Sequence, residues 1–169
     1  GAMSIRFQTC NLVEVLHDSV RAVEATAQQA DVHVQLKVDD ESMSLPVAVD
    51  PRRLEQVLLN LLANAIQHTA RGGCVRMSVN VLSERVRVRI QDEGAGVPAD
   101  FLPRLFEPFA QAGQGAGGHR RGTGLGLAIS RDLMRLMHGG IGVDTPCPGE
   151  GAVFWVELPI DVEPMSTLF

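Results

Sequence analysis

The chain has 169 residues, 45% hydrophobic and only 4% aromatic, with a formal net charge of −5. That length fits one domain that buries roughly two-thirds of its unfolded surface, here around an aliphatic core. The acidic balance excludes nucleic acid as a bulk partner, because a phosphate backbone demands a basic face, and no apolar run approaches the ~18 residues of a membrane span.

Lys37 is the sole lysine, so basic charge is almost all arginine. Cys10, Cys74 and Cys147 lie far apart without CxxC spacing, which reads as free thiols in a reducing compartment. Gly1-Ala2-Met3 reads as a protease-cleavage scar, the domain as residues 4–160, and 161–169 as a tail or linker. No signal-peptide pattern opens the sequence.

In chain order, Asn11 to Ala30 predicts one helix, with Leu12, Val15, Leu16, Val20 and Val23 on one side. Val32 to Val38 alternates as a half-buried strand. Asp39 to Ser44 is a polar turn, and Leu45 to Val49 a short second strand. Asp50 then suits a helix N-cap and Pro51 the first helical position. Leu54, Val57, Leu58, Leu61, Leu62 and Ala65 recur at helical spacing, and the only polar residues between Val57 and Ile66 are Asn60 and Asn64. Being four apart, they share one strip of that helix. They are either structural amides bonded to nearby backbone or ligands, since an unpaired buried amide costs about 1–3 kcal/mol.

A hairpin follows. Val75, Met77, Val79 and Val81 alternate with polar residues, as do Val86, Val88 and Ile90 with Arg85, Arg87 and Arg89. Counting by twos aims Asp92 inward, unless the strand stops at Gln91 and the parity lapses. Gly94 and Gly96 allow backbone to approach a ligand, or simply make a tight turn. Ala99 to Leu105 predicts a short helix. Residues 110–121, AQAGQGAGGHRR, read as a mobile loop, either a lid or a connector. The glycines of GTGLG open a helix to about Met137, and such a start suits a phosphate; the pattern is neither a P-loop nor the dinucleotide fingerprint. Gly139-Gly140 closes that helix. Ile141 to Asp144 and Ala152 to Leu158 are the last strands.

Taken together, NLLANA, DEGAGVP, LFEPF and GTGLGLAI, in this order, resemble the asparagine, first glycine, phenylalanine and second glycine boxes of bacterial sensor histidine kinases. The likeness runs from about Phe7 to Ile160, to the catalytic and ATP-binding (GHKL) domain shared with gyrase, the Hsp90 chaperones and MutL. RLFEPFAQA with GTGLGLAISRDL resembles the hybrid-type kinases. The resemblance implies a two-layer α/β sandwich of the Bergerat type, with a mixed, mostly antiparallel sheet backed by helices and a flexible ATP lid. It implies ATP and Mg²⁺ as cofactors, with Asn64 as the magnesium ligand. Asn60 stands where hydrolysing relatives place a water-activating glutamate, which an amide cannot replace as a base. Asp92 matches the adenine-binding aspartate; Gly94, Gly96 and Val97 line the base, and Phe106 and Phe109 anchor the lid. Gly122, Gly124, Leu125 and Gly126 approach the phosphates, with Thr123 near the base or bridging water.

Two departures stand out. Gln67 occupies a place often basic in the family, and His68 one often aromatic; Arg120 and Arg121 are the candidates to restore the missing positive charge. The implied partners are a dimerisation domain carrying the phosphoacceptor histidine and a response regulator or receiver domain, with no nucleic acid or membrane contact for this fragment. The implied setting is the cytoplasmic part of a membrane-anchored sensor. His17-Asp18 superficially matches an acceptor box, but Arg21 is out of pattern, and His33, His119 and His138 read as surface residues. The rivals are a hydrolytic relative, a degenerate nucleotide-binding scaffold and an anti-sigma-type serine kinase.

Overall fold

The computed structural model describes residues 4–39, 44–97, 100–108, 126–144 and 151–160. Residues 1–3 and 161–169, read above as scar and tail, lie outside that set. Five strands form the main sheet in the order β2 (His33–Lys37), β4 (Cys74–Leu82), β5 (Arg85–Gln91), β7 (Val153–Pro159) and β6 (Gly140–Asp144). Among the described residues only the β2–β4 pairing is parallel. A short second sheet pairs β1 (Gln8–Asn11) with β3 (Pro46–Val49). Helices α1 (Leu12–Ala22), α2 (Glu24–Ala30), α3 (Pro51–His68) and α4 (Gly126–Leu136) supply the other layer. The mixed, mostly antiparallel sheet of the expected sandwich is therefore present, and no described helix is long and apolar enough to cross a membrane.

Alternation decides the layering. Val75, Met77, Val86, Val88, Ile90, Phe154, Val156 and Leu158 are all buried, so the sheet's inner face is continuous apolar surface. Leu54, Val57, Leu58, Leu61, Leu62 and Ala65 of α3 are fully buried with it. The outward partners on β5 are arginines. Arg87 stacks over Trp155 at 4.1 Å, and its Nε donates to Glu157 at 2.9 Å. Val81 departs from its alternation and is 48% exposed; it lies beyond Ser78, the last residue of β4 that pairs with β2.

Three expectations need correction. The helix expected over 11–30 is two helices, broken at Val23, whose N–H bonds back only three residues to Val20. β1 has no counterpart among the expected strands; it is short, half of its residues are exposed and it lacks apolar alternation. The helix expected over 99–105 is, in the described residues, a single 3₁₀ turn at Leu102–Arg104. α4 ends with His138 in the left-handed region at φ 62, so the position before Gly139-Gly140 makes the turn. His138 is exposed as expected, and it stacks on Phe7 with ring centroids 5.6 Å apart.

Asp50 fixes the start of α3. Its Oδ1 accepts from the Arg52 and Arg53 amides at 3.1 and 3.3 Å, and its Oδ2 from the Arg6 amide at 2.9 Å. Burial opposes ionisation, but the Arg6, Arg53 and Arg52 amides outweigh it and hold the carboxyl below its ordinary range. A depressed folded pKa gives stability that is present above the unfolded value of about 3.9 and is lost as pH falls through the folded value. Denaturant melts of wild type and Asp50→Asn should therefore converge as pH drops below about 4. A stability difference that stays constant down to acid pH would contradict this.

Candidate nucleotide site

The site is built on α3. Asn60, Asn64 and His68 recur every four residues and so make one strip about 12 Å long. Asn60 and Asn64 are half-buried, while Gln67 and His68 are exposed. Each end of the strip meets a glycine from a distant part of the chain.

At the C-terminal end stands Gly94, where a Cβ would lie 2.5 Å from the His68 carbonyl oxygen. Glu93 N–H donates to Thr69 Oγ1 at 3.2 Å, tying the same loop to the helix cap. Gly94 is thus required by the packing of α3, beyond any approach to a base. At the N-terminal end stands Gly126, where a Cβ would lie 2.4 Å from Asn60 Oδ1. Asn60 Nδ2 donates to Ser130 Oγ, 3.2 Å away and buried. Asn60 is therefore bonded neither to neighbouring backbone nor left unpaired; its partner is a side chain 70 positions on. The side chain of Asn64, half-buried, makes no hydrogen bond among the described residues, so its carbonyl oxygen is a candidate ligand.

Asp92 is 2% exposed. β5 does end at Gln91, yet the Asp92 N–H donates to the Ala152 carbonyl at 3.0 Å and carries the pairing one residue further. The inward parity holds. Both intramolecular bonds to the carboxylate fall on Oδ1, from Gly94 N at 2.9 Å and Ala152 N at 3.1 Å. Among the described residues no hydrogen bond reaches Oδ2. An ionised carboxylate offers about four acceptor positions, so this one can still take a donor from a ligand.

Gly151, which is not among the site residues expected from the sequence, makes the arrangement possible. Its φ is +82, and a Cβ there would lie 2.2 Å from the Asp92 carbonyl oxygen. Gly96, also at φ +82, faces the Gly151 carbonyl, 3.1 Å from where its own Cβ would stand. Val97 and Phe106 are half-buried and pack on the core. Phe109, Arg120, Arg121, Gly122, Thr123, Gly124 and Leu125 lie outside the described residues.

Asn60, Asn64, His68, Asp92, Gly94, Gly96 and Gly126 are thus gathered from α3, the loop after β5 and the start of α4, with Gln67 beside them. Two depressions elsewhere, of about 330 and 630 Å³, are lined by the outer sheet face and by residues around Asp50. Neither includes an asparagine of α3 or Asp92. The convergence of polar groups, rather than the size of a hollow, marks the α3 strip as the site.

This fold and this set of groups define a class. Residues 49–162 match the family of histidine kinase-, DNA gyrase B- and HSP90-like ATPases, and the chain belongs to that family. The sensor histidine kinase RcsC of Escherichia coli (strain K12) is 45% identical over 118 residues, which cover 69% of this chain and 12% of RcsC. Full-length ShkA, solved in complex with AMPPNP, superposes with TM-score 0.80 at 30% identity, over 95% of this chain and 32% of ShkA. The catalytic domain of the histidine kinase ThkA superposes with TM-score 0.79 at 28% identity, over 92% of this chain and 96% of that domain. The match thus spans 12% of the length of RcsC and 32% of ShkA, but 96% of the ThkA catalytic domain.

Proposed function

We propose that the chain binds Mg-ATP and passes its γ-phosphoryl group to a histidine on a separate dimerisation domain, as the catalytic unit of a two-component sensor histidine kinase on the cytoplasmic side. The observation that carries the reading is Asp92, a buried acid with one oxygen bonded by two backbone amides and the other, among the described residues, without a hydrogen bond. The exocyclic amine of adenine is a donor for that second oxygen. The adenine end then lies by Gly94 and His68, and the phosphates point along the strip towards Asn60 and Gly126.

Magnesium fits the groups present. Among the described residues no cluster of three or more His, Cys, Asp or Glu side chains could hold a metal ion, whereas Mg²⁺ commonly uses one or two protein oxygens together with substrate phosphates. Asn64 would supply a hard carbonyl oxygen, and the ion would neutralise charge on the phosphates. Asn60 favours transfer over hydrolysis, because an amide cannot take a proton from water. Arg120 and Arg121 would provide the positive charge that Gln67 lacks. The downstream partner is a response regulator or receiver domain; ThkA has been solved in complex with the response regulator protein TrrA.

Labelling with γ-³²P ATP, the parent's dimerisation domain being supplied in trans, tests the reading. Wild type should give acid-labile, Mg²⁺-dependent label on that domain. Asn64→Ala should bind nucleotide with little response to Mg²⁺, its metal-dependent gain falling at least tenfold, roughly the effect expected for losing a metal contact. No label from wild type would favour the scaffold alternative, and an Asn64→Ala protein responding normally to Mg²⁺ would remove the ligand assignment.

A further inference from the structure

Gly126 and Ser130 lie four apart and so share one face of α4. Asn60 fills the notch between them. Its Nδ2 donates to the buried Ser130 hydroxyl at 3.2 Å, and its Oδ1 occupies the space that a side chain at Gly126 would take. An asparagine amide can turn end over end, exchanging a donor for an acceptor at either position. A serine hydroxyl can accept from the amide nitrogen or donate to the amide oxygen, so the Ser130 bond fixes where the Asn60 amide sits, while the close contact at Gly126 limits its movement on the other side.

We infer that Ser130 is a positioning residue for nucleotide binding: by hydrogen-bonding the Asn60 side chain it holds that amide in place at the phosphate end of the strip. The inference rests on the proposed Mg-ATP reading and extends it to a residue that touches neither nucleotide nor metal. It also gives the glycine at 126 a second reason, room for that amide.

The notch joins two helices far apart in sequence, α3 carrying both asparagines and α4 following the second glycine motif. Because Ser130 acts through Asn60, its removal should be felt at the triphosphate and metal end and not at the base. A residue that merely stabilised the fold would weaken both ends alike.

Calorimetric titration with AMPPNP plus Mg²⁺, and separately with adenosine, distinguishes these. Ser130→Ala should weaken Mg-AMPPNP binding about five- to tenfold, the scale of one hydrogen bond, and leave adenosine binding unchanged. Ser130→Thr, which keeps the hydroxyl, should restore most of the loss. Ser130→Ala added to Asn60→Ala should cost nothing further. Gly126→Ala attacks the notch from its other wall, should produce the same selective loss, and serves if Ser130→Ala fails to fold. Equal losses for both ligands, an unaffected Ser130→Ala protein, or additive effects in the double variant would overturn the assignment. Wild-type protein that bound neither ligand would remove the nucleotide reading itself, and this inference with it.

Discussion

Asp92→Asn should leave the protein folded and lower affinity for ADP by about 100-fold or more. The substitution keeps an oxygen to accept from the Gly94 and Ala152 amides, so the loop retains both of its bonds. What changes is the other position, where an acceptor becomes an NH₂ donor. The adenine amine, also a donor, then loses a hydrogen bond to a charged group worth about 1.5–3 kcal/mol and faces a buried unsatisfied donor costing about 1–3 kcal/mol more. Their sum is a factor of about 100 or greater, since 1.36 kcal/mol is tenfold. Calorimetry with ADP measures it, and thermal melting checks the fold. Unchanged ADP affinity in a folded variant would refute the adenine role.

Gly151→Ala should damage both stability and binding. At φ +82 an L-residue costs about 1–2 kcal/mol, and a Cβ 2.2 Å from the Asp92 carbonyl oxygen cannot be accommodated without moving backbone. Overpacking of this kind adds about 1–3 kcal/mol. The displaced segment carries the Ala152 amide, one of the two donors to Asp92 Oδ1, so nucleotide affinity should fall as well. Urea melts should place the loss at about 2–5 kcal/mol, the sum of those two terms. A loss below about 1 kcal/mol would show that the loop relaxes freely and that Gly151 does not hold the carboxylate.

What the sequence revealed, and what it hid, follows from the range of each interaction. The α3 core was readable because helical period and capping are local: Asp50, Pro51 and six apolar positions announce the helix, and all six are fully buried. Asp92 was readable by counting along β5, since pairing with β7 continues one residue past the strand's end. The partners of both key polar residues were not. Ala152 reaches Asp92 across 60 positions and Ser130 reaches Asn60 across 70. Gly151 carried a faint signal, a glycine between an acid and an apolar strand, but its role depends on where Asp92 falls in space. β1 had no pattern to find, as half of its residues are exposed and the strand owes its conformation to β3. The break at Val23 was hidden because Val23 and Ala27 keep a helical spacing across it, and both are buried.

The outer sheet face shows the limits of charge counting. A net charge of −5 describes the whole chain, while Arg85, Arg87 and Arg89 alternate along the outer face of β5 with Glu157 answering two of them. Stacking of Arg87 on Trp155, and of Trp155 across Gly142, makes part of that face packed surface.

At the centre of the account, a nucleobase engages a walled-in acid while its phosphates run along an amide-bearing helix. A crystal structure of the protein with AMPPNP and Mg²⁺ is the most direct measurement. The adenine exocyclic nitrogen should lie within about 3 Å of Asp92 Oδ2, with the metal on the Asn64 carbonyl oxygen. Adenosine bound anywhere else, or the Asp92 Oδ2 engaged by another protein group, would contradict it.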